Sequence, residues 1–532
     1  MQKKLLAVAV LSAFSGVAAA QSANVTMYGT LVQNVESVSA TGGDGSLAGA
    51  SNSSTRTGVG AARVTGAAPA IGGTAAAGVA DQERRLRFNP AGSNFGIRGT
   101  EDLGNGLSAW FQAELSLNLG ANPPLGGTNE GRAPTMRNTA VGLKSNTWGT
   151  ALFGVWDTPF NTMVNALNAN ARVSGASTNH SANMLGGNVF AQGAVSGQAT
   201  ASWCTNGASA AFVPAGTVTA GSAAFTVVTG GAGALGPTAA GCANFGMNFD
   251  RRERSSLQWW SPNWNGFEVR AAYNATQDNG GVTVNNQIAG RNTLKQNIWD
   301  LSLAYSNGPL YVGYAYERQN DTLAAAARTF TSLAGGIGSG EGTGGWTMGS
   351  SQNPGGLTAG GVATAASYMS GSKATGHRLG AKYAFGNGFG MGAMWESLKW
   401  DMSYQQDNGG GVAATAAQLL SGLKKTAWRL QGNYTFGSNF VSLDYVRANA
   451  MTGSIVSATG AAANTFDGSS SGARSWMFNY NYALSKRTSI GAYYNVVRND
   501  TNANYSGIVF GGIASPAGGS PKYLGMQVRH AF

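Results

Sequence analysis

The chain has 532 residues, 80 of them Gly, and only 11% are Asp, Glu, Lys or Arg, against about a quarter in an ordinary soluble protein. Its formal charge is +11, yet no basic run is longer than Arg84-Arg85 or Arg251-Arg252, which argues against nucleic acid as a partner. No stretch of 18 consecutive apolar residues follows the N-terminal segment, which excludes helical membrane spans. Low charge, many Gly, 10% aromatics and no apolar 20-mer fit a membrane β-barrel, whose apolar residues occupy every second position.

The N-terminus reads as an export signal over residues 1–20. Lys3 and Lys4 precede an apolar stretch over residues 5–17, and Ala18-Ala19-Ala20 stands before Gln21. The apolar run is too short to cross about 30 Å of hydrocarbon. The barrel is therefore expected over residues 21–532.

Period-two alternation then recurs along the chain. Val25, Met27, Leu31 and Val35 alternate with polar residues, as side chains on opposite faces of a strand do. So do Leu107, Ala109, Phe111, Ala113 and Leu115; Phe267, Val269, Ala271 and Tyr273; Trp428, Leu430 and Tyr434; and Leu524, Met526, Val528, His530 and Phe532. Seven very short connections carry turn residues: 102–106, 145–149, 261–266, 306–309, 386–388, 437–439 and 485–487. Eight long segments rich in Gly, Ala, Ser and Thr lie between them: 38–82, 119–135, 158–251, 275–295, 318–376, 400–424, 448–473 and 499–521. Strict alternation of short and long connections is the asymmetry of outer-membrane barrels. Fifteen connections predict sixteen strands. The alternative, soluble domains joined by linkers, fails because a two-stranded unit is not stable alone in water, so the hairpins must close into one all-β sheet.

Five segments resemble the trimeric general porins of beta-proteobacteria: Asn24-Val25-Thr26-Met27-Tyr28-Gly29; the run from Asn94 to Leu107; Arg137 to Leu143 followed by Gly149 to Gly154; Tyr482 to Thr488; and Val528-Arg529-His530-Ala531-Phe532. They are spread from end to end. The resemblance implies a 16-stranded antiparallel transmembrane barrel with short periplasmic turns and long extracellular loops. The third loop, after Pro159, would fold inward and constrict the pore. It implies passive diffusion of ions and small hydrophilic solutes, with no cofactor and no catalytic step, and a homotrimer in the outer membrane. Outer-membrane lipid, lipopolysaccharide and, through Phe532, the barrel-assembly machinery would be its partners. The family often has Arg where Asn94 stands, and a basic pattern where this chain reads Gly154-Val155-Trp156-Asp157-Thr158-Pro159.

From Thr158 to Phe249 there is no Asp or Glu, and Arg172 is the sole Lys or Arg. By parity, Arg252 and Arg254 share a face with Ser256 and Gln258, and Arg98, Arg270, Lys382 and Arg429 face the lumen. With Asp157 these are the candidate constriction residues, expected to favour anions modestly, with Glu101, Glu114 and Glu268 as opposing lumenal acids. The alternative places Arg251, Arg252 and Arg254 at the outer rim, on lipopolysaccharide phosphates. Trp110, Trp156, Trp259, Trp260, Trp299 and Trp428 are expected in interface belts, with a lumenal aromatic track as the alternative. Cys204 and Cys242 are read as a disulfide, the alternative being two free thiols in a loop. His180, His377 and His530 are dispersed, and no catalytic triad or metal-ligand spacing is visible. A substrate-specific channel of the same fold and a plugged, adhesin-like barrel are the competing functions.

Overall fold

A computed structural model describes residues 24–41, 62–65, 79–89, 92–117, 136–168, 184–187, 249–275, 297–320, 367–368, 373–406, 416–455, 471–500, 503, 505 and 518–532. The residues expected to form the export signal, Arg172, Cys204 and Cys242 lie outside the described residues.

Twenty strands join one sheet, and every strand pairing in it is antiparallel. In chain order they are β1 (Asn24–Thr41), β2 (Ala62–Thr65), β3 (Val79–Asn89), β4 (Asn94–Gly104), β5 (Leu107–Ser116), β6 (Thr139–Ser145) and β7 (Gly149–Asp157). After a helix, α1 (Pro159–Ala166), come β8 (Arg252–Trp260), β9 (Phe267–Ala275), β10 (Asn297–Asn307), β11 (Leu310–Asn320), β12 (Ser367–Tyr368) and β13 (Lys373–Ala384). The sheet continues with β14 (Phe389–Gln406), β15 (Ala416–Phe436), β16 (Asn439–Ala448), β17 (Thr452–Ile455), β18 (Ala473–Ala483), β19 (Thr488–Asn499) and β20 (Ser520–Ala531).

The count of sixteen holds. β3 and β4 pair with successive halves of β1, so together they make one wall strand in two pieces, ending at Asn89 and resuming at Asn94. β2, β12 and β17 are short additions at the long-loop end. All seven predicted short turns join consecutive wall strands, and the strand ends that flank the eight long segments lie at the opposite end. One boundary moves. The segment 400–424 was expected as loop, but β14 and β15 stay paired as far as Gln405↔Ala416.

The alternation is inside out relative to a soluble protein. Large apolar side chains such as Val141, Phe153, Leu257, Leu301, Leu379, Leu430, Leu443, Phe478, Met526 and Val528 are exposed on the outer face. Buried polar side chains such as Asp300, Glu317, Arg378, Glu396, Asn479 and Asn495 alternate with them on the inner face. Lipid offers no hydrogen bonds, so an outer face of hydrocarbon and a closed backbone ladder satisfy the same solvent.

The break between β3 and β4 costs no backbone hydrogen bond on β1. Ser93 Oγ accepts from Val32 N–H and donates to Val32 C=O, both at 2.9 Å, taking the place of a ladder partner. The turns use glycine where geometry demands it. Gly149 has φ +92°, and a Cβ there would lie 2.1 Å from the Trp260 carbonyl oxygen.

The first and last strands meet at the seam. β1 pairs with β20 from Thr30↔Ala531 to Thr41↔Ser520. Gly29 and Phe532 exchange two backbone hydrogen bonds, at 3.2 and 3.1 Å. The Phe532 ring occupies the space that a side chain at Gly29 would take, since a Cβ there would lie 2.4 Å from Phe532 Cζ. It also stacks 6.5 Å from Phe95. Gly29→Leu should expel the ring at a cost of about 1–3 kcal/mol. In a heat-modifiability gel this variant should show less of the compact, heat-sensitive band; an unchanged band would separate Phe532 from seam closure.

Candidate functional site: a loop pinned inside the barrel

The third long connection starts with α1, and α1 lies on the inner wall. Thr158 caps it: its hydroxyl accepts from Asn161 N–H at 3.2 Å and donates to Glu317 Oε2 at 3.1 Å. Phe160 N–H donates to Asp300 Oδ2 at 3.1 Å. Two wall carboxylates thus meet the positive end of the helix. Phe160, Met163, Val164 and Leu167 are buried, each contributing about 1.5–3 kcal/mol by removal from water.

The wall is carved to receive them. Gly313 and Gly380 are register partners on β11 and β13. A Cβ at Gly313 would lie 2.2 Å from Met163 Sδ, and one at Gly380 would lie 2.7 Å from Leu167 Cδ1. One at Gly376 would lie 2.8 Å from Phe249 and 3.1 Å from Phe160. These three glycines form the floor of a groove that the loop fills.

A buried charge cluster holds the returning part of the loop. Arg378 Nη1 donates to Asp250 Oδ1 (2.6 Å) and to the Phe160 carbonyl (2.8 Å), while its Nη2 donates to Glu396 Oε2 (2.8 Å). The guanidinium also lies 4.1 Å from the Phe160 ring centroid. Glu396 accepts from Gly186 N–H at 2.9 and 3.1 Å and pairs with Lys425 at 3.6 Å. Lys425 in turn donates to the Met184 carbonyl. Burial pushes the Asp250 carboxyl above its ordinary range, and the Arg378 guanidinium opposes that shift. Two cations and two carboxylates therefore balance beneath the loop, and the Phe249 ring packs at a tilt between Phe160 (5.5 Å) and Trp400 (5.7 Å).

The closed antiparallel barrel has its counterpart in known proteins. A family model for Gram-negative porins matches residues 7–358 and 332–502. The chain belongs to the Gram-negative porin family. An outer membrane porin protein of Bordetella pertussis is 47% identical to this porin over 64 residues, 12% of this chain and 15% of that relative's length. The anion-selective porin from Comamonas acidovorans has a similar fold, with TM-score 0.52 and 16% identity over 96% of this chain and 100% of that one. OmpT of Vibrio cholerae gives TM-score 0.47 and 12% identity over 97% of this chain and 100% of its own.

The porin's predicted lumenal cations separate into spent and free. Arg252 pairs with Asp157 at 3.0 Å and donates to Asn138 Oδ1 at 2.6 Å, while Asn138 and Asn161 also hold Asp157. This network fixes the turn into α1. Arg270 pairs with Glu268 and lies 4.9 Å from the Trp260 ring centroid. Arg429 is buried between Asp444 (3.2 Å) and Asn168 Oδ1 (3.2 Å). Arg98 is exposed, 5.2 Å from the Tyr28 ring centroid, and Lys382 is half-buried, 5.4 Å from that of Tyr311. Neither has a carboxylate partner among the described residues.

Three expectations need correction. The alternation from Gln258 does not carry through to Arg252, because an extra residue sits in β8 between Glu253 and Ser256. Ser255 there has φ +51°, the mark of a β-bulge, and Arg254 beside it is exposed. Glu101 is not lumenal: its register partner is Ala109, on the outward side with Phe111. Glu114 is inward but is bound by Arg137 and by the Tyr28 hydroxyl (2.9 Å). Among the tryptophans, Trp259, Trp299 and Trp428 face outward as expected. Trp110, Trp156 and Trp260 instead form an inward triad with ring centroids 5.6–6.5 Å apart.

Sequence reasoning missed Asp300, Glu317, Arg378, Glu396 and Lys425. The signal was present as single charges between apolar outward residues, such as Asp300 between Trp299 and Leu301. Arg378→Met should leave buried carboxylates unpaired at a cost of about 3–5 kcal/mol. The barrel would persist while the loop detaches, so single-channel recordings should show larger, noisier currents; wild-type steps would mean that the loop is held by its apolar contacts.

Proposed function

We propose that this porin is a water-filled channel for passive diffusion of ions and small hydrophilic solutes, with a modest preference for anions and no chemical step. Residues 1–20 serve as the export signal, and the barrel assembles as a homotrimer. A closed sheet of sixteen strands is wide enough for an aqueous lumen, and the third loop narrows it from one side. The observation that carries the preference is the ion-pair pattern. Arg252, Arg270 and Arg429 are each matched by a carboxylate, whereas Arg98 and Lys382 have none among the described residues. Unpaired charge at a constriction sets selectivity.

The test is a reversal potential in a potassium chloride gradient across a planar bilayer. Wild type should favour chloride, and Arg98→Ser and Lys382→Ser should each move the potential toward neutrality. Arg252→Ser should move it further toward cations, because it frees Asp157. A cation-favouring wild type would overturn the preference and keep the channel; folded protein that does not conduct would favour a plugged, adhesin-like barrel.

The lumenal triad favours a second reading, a channel selective for planar solutes. Trp110, Trp156 and Trp260 beside Arg270 combine aromatic faces with a cation. A planar aromatic carboxylate should then quench tryptophan fluorescence and interrupt single-channel current in wild type but not in Trp260→Ala. Equal effects on both proteins would remove this reading.

A further inference from the structure

We propose that the lumen binds aryl acids whose ring and carboxylate are held apart by a short spacer, with the ring against Trp260 and Arg270 and the carboxylate on Lys382. This rests on the reading of the tryptophan cluster as a site for planar solutes, and it names the solute. Two aromatic–cation posts stand on the inner wall. In the first, the Arg270 guanidinium lies 4.9 Å from the Trp260 ring centroid, and the two residues are direct cross-strand partners. In the second, Lys382 Nζ lies 5.4 Å from the Tyr311 ring centroid, and these two are cross-strand partners as well.

Between the posts the wall is low. β10 separates them, and its inward side chains there are the small Ser302, Ala304 and Ser306, in register with Arg270, Glu268 and Tyr311. β9 and β11 lie two strand spacings apart, about 10 Å. The gap exceeds a ring with its carboxylate attached directly, and it fits a ring and carboxylate joined by a short chain. The third loop fixes the second post. The Tyr311 hydroxyl donates to Met163 Sδ on α1 at 3.5 Å, and the Tyr311 ring lies beside the space over Gly313 that Met163 fills. Thioether and ring hold each other there, so the ring is a rigid backing for Lys382.

The charges select a monoanion. Glu268 takes the Nε–H of Arg270, so the guanidinium serves here as a flat face, and such faces stack on rings. Lys382 has no carboxylate partner among the described residues. Two cations against one acid leave one positive charge, and it resides at Lys382. Trp110 and Trp156 widen the ring post, with centroids 6.5 and 5.6 Å from that of Trp260. A carboxylate at Lys382 and an apolar ring at Trp260 together describe one amphipathic solute. Chloride would use the cation and leave the aromatic face idle.

The test records single-channel current through the purified porin with benzoate, hydrocinnamate or the cyclohexyl analogue of hydrocinnamate added at equal concentration. Hydrocinnamate should interrupt the wild-type current roughly tenfold longer than either of the others. Benzoate cannot span the gap, and the cyclohexyl compound has the spacer without the aromatic face. Lys382→Ser should remove the advantage of hydrocinnamate, and Lys382→Arg should keep it. Trp260→Ala should bring hydrocinnamate down to the cyclohexyl compound. The heat-modifiable band should stay unchanged in all three variants, which separates these results from misfolding. Equal interruptions by benzoate and hydrocinnamate, shortened together in Trp260→Ala, would overturn this proposal and leave the planar-solute reading in place. Hydrocinnamate interruptions as long in Lys382→Ser as in wild type would do the same. Equal interruptions by all three compounds, in wild type and in Trp260→Ala alike, would overturn both.

Discussion

Everything in this molecule depends on leaving no backbone hydrogen bond unmade where water is absent. A strand edge exposed to hydrocarbon costs several kcal/mol for each unpaired group. The sheet must therefore close, and closure falls on the pairing of β1 with β20. Two details show how strictly this is met. Ser93 supplies a side-chain donor and acceptor where the second wall strand is broken. Gly29 gives up its side chain so that the terminal Phe532 can lie over the seam while its backbone completes the ladder.

Closure was legible in the sequence because its causes are periodic. Alternation with period two and the succession of short and long connections are local, additive signals, and all seven turns fall where they were read. The errors have local causes too. Parity failed at Arg252 because a single bulge at Ser255 adds one residue to β8, and no composition signal marks it. Extending β14 and β15 past residue 400 depends on a loop hairpin continuing its register beyond the wall. Parity could place Arg429 and Lys382 on the inner face, but it could not say that Arg429 is consumed by Asp444 while Lys382 is not. Pairing across a wall depends on strand stagger, which a single strand does not encode.

The inner wall does two jobs with one set of charges. Between Thr158 and Phe249 the loop contributes one cation and no acid, so it offers the wall little charge of its own to grip. Apart from the Asp250 carboxylate, which Arg378 binds, the wall grips the loop's backbone: Phe160 N–H by Asp300, Phe160 C=O by Arg378, Gly186 N–H by Glu396 and Met184 C=O by Lys425. Fixed charges on strands meet peptide dipoles on the loop. This explains how the described parts of the loop are held to the wall, and why glycines rather than large residues line β11 and β13 beneath them.

That division of labour also governs permeation. A charge buried under the loop is matched and screened from the water-filled path, so it contributes little field there. In the proposed channel a passing ion meets the remainder after anchoring, and among the described residues the acids Asp300, Glu317, Glu396 and Asp444 are all committed to the loop or to a cation. Selectivity in this barrel is thus linked to loop stability. A substitution that unpins the loop would both widen the path and uncover wall carboxylates, so conductance would rise as anion preference falls. A substitution at Arg98, on β4 and outside the anchoring network, would change preference alone. The two properties separate only because Arg98 and the anchoring cluster stand on different strands of the wall.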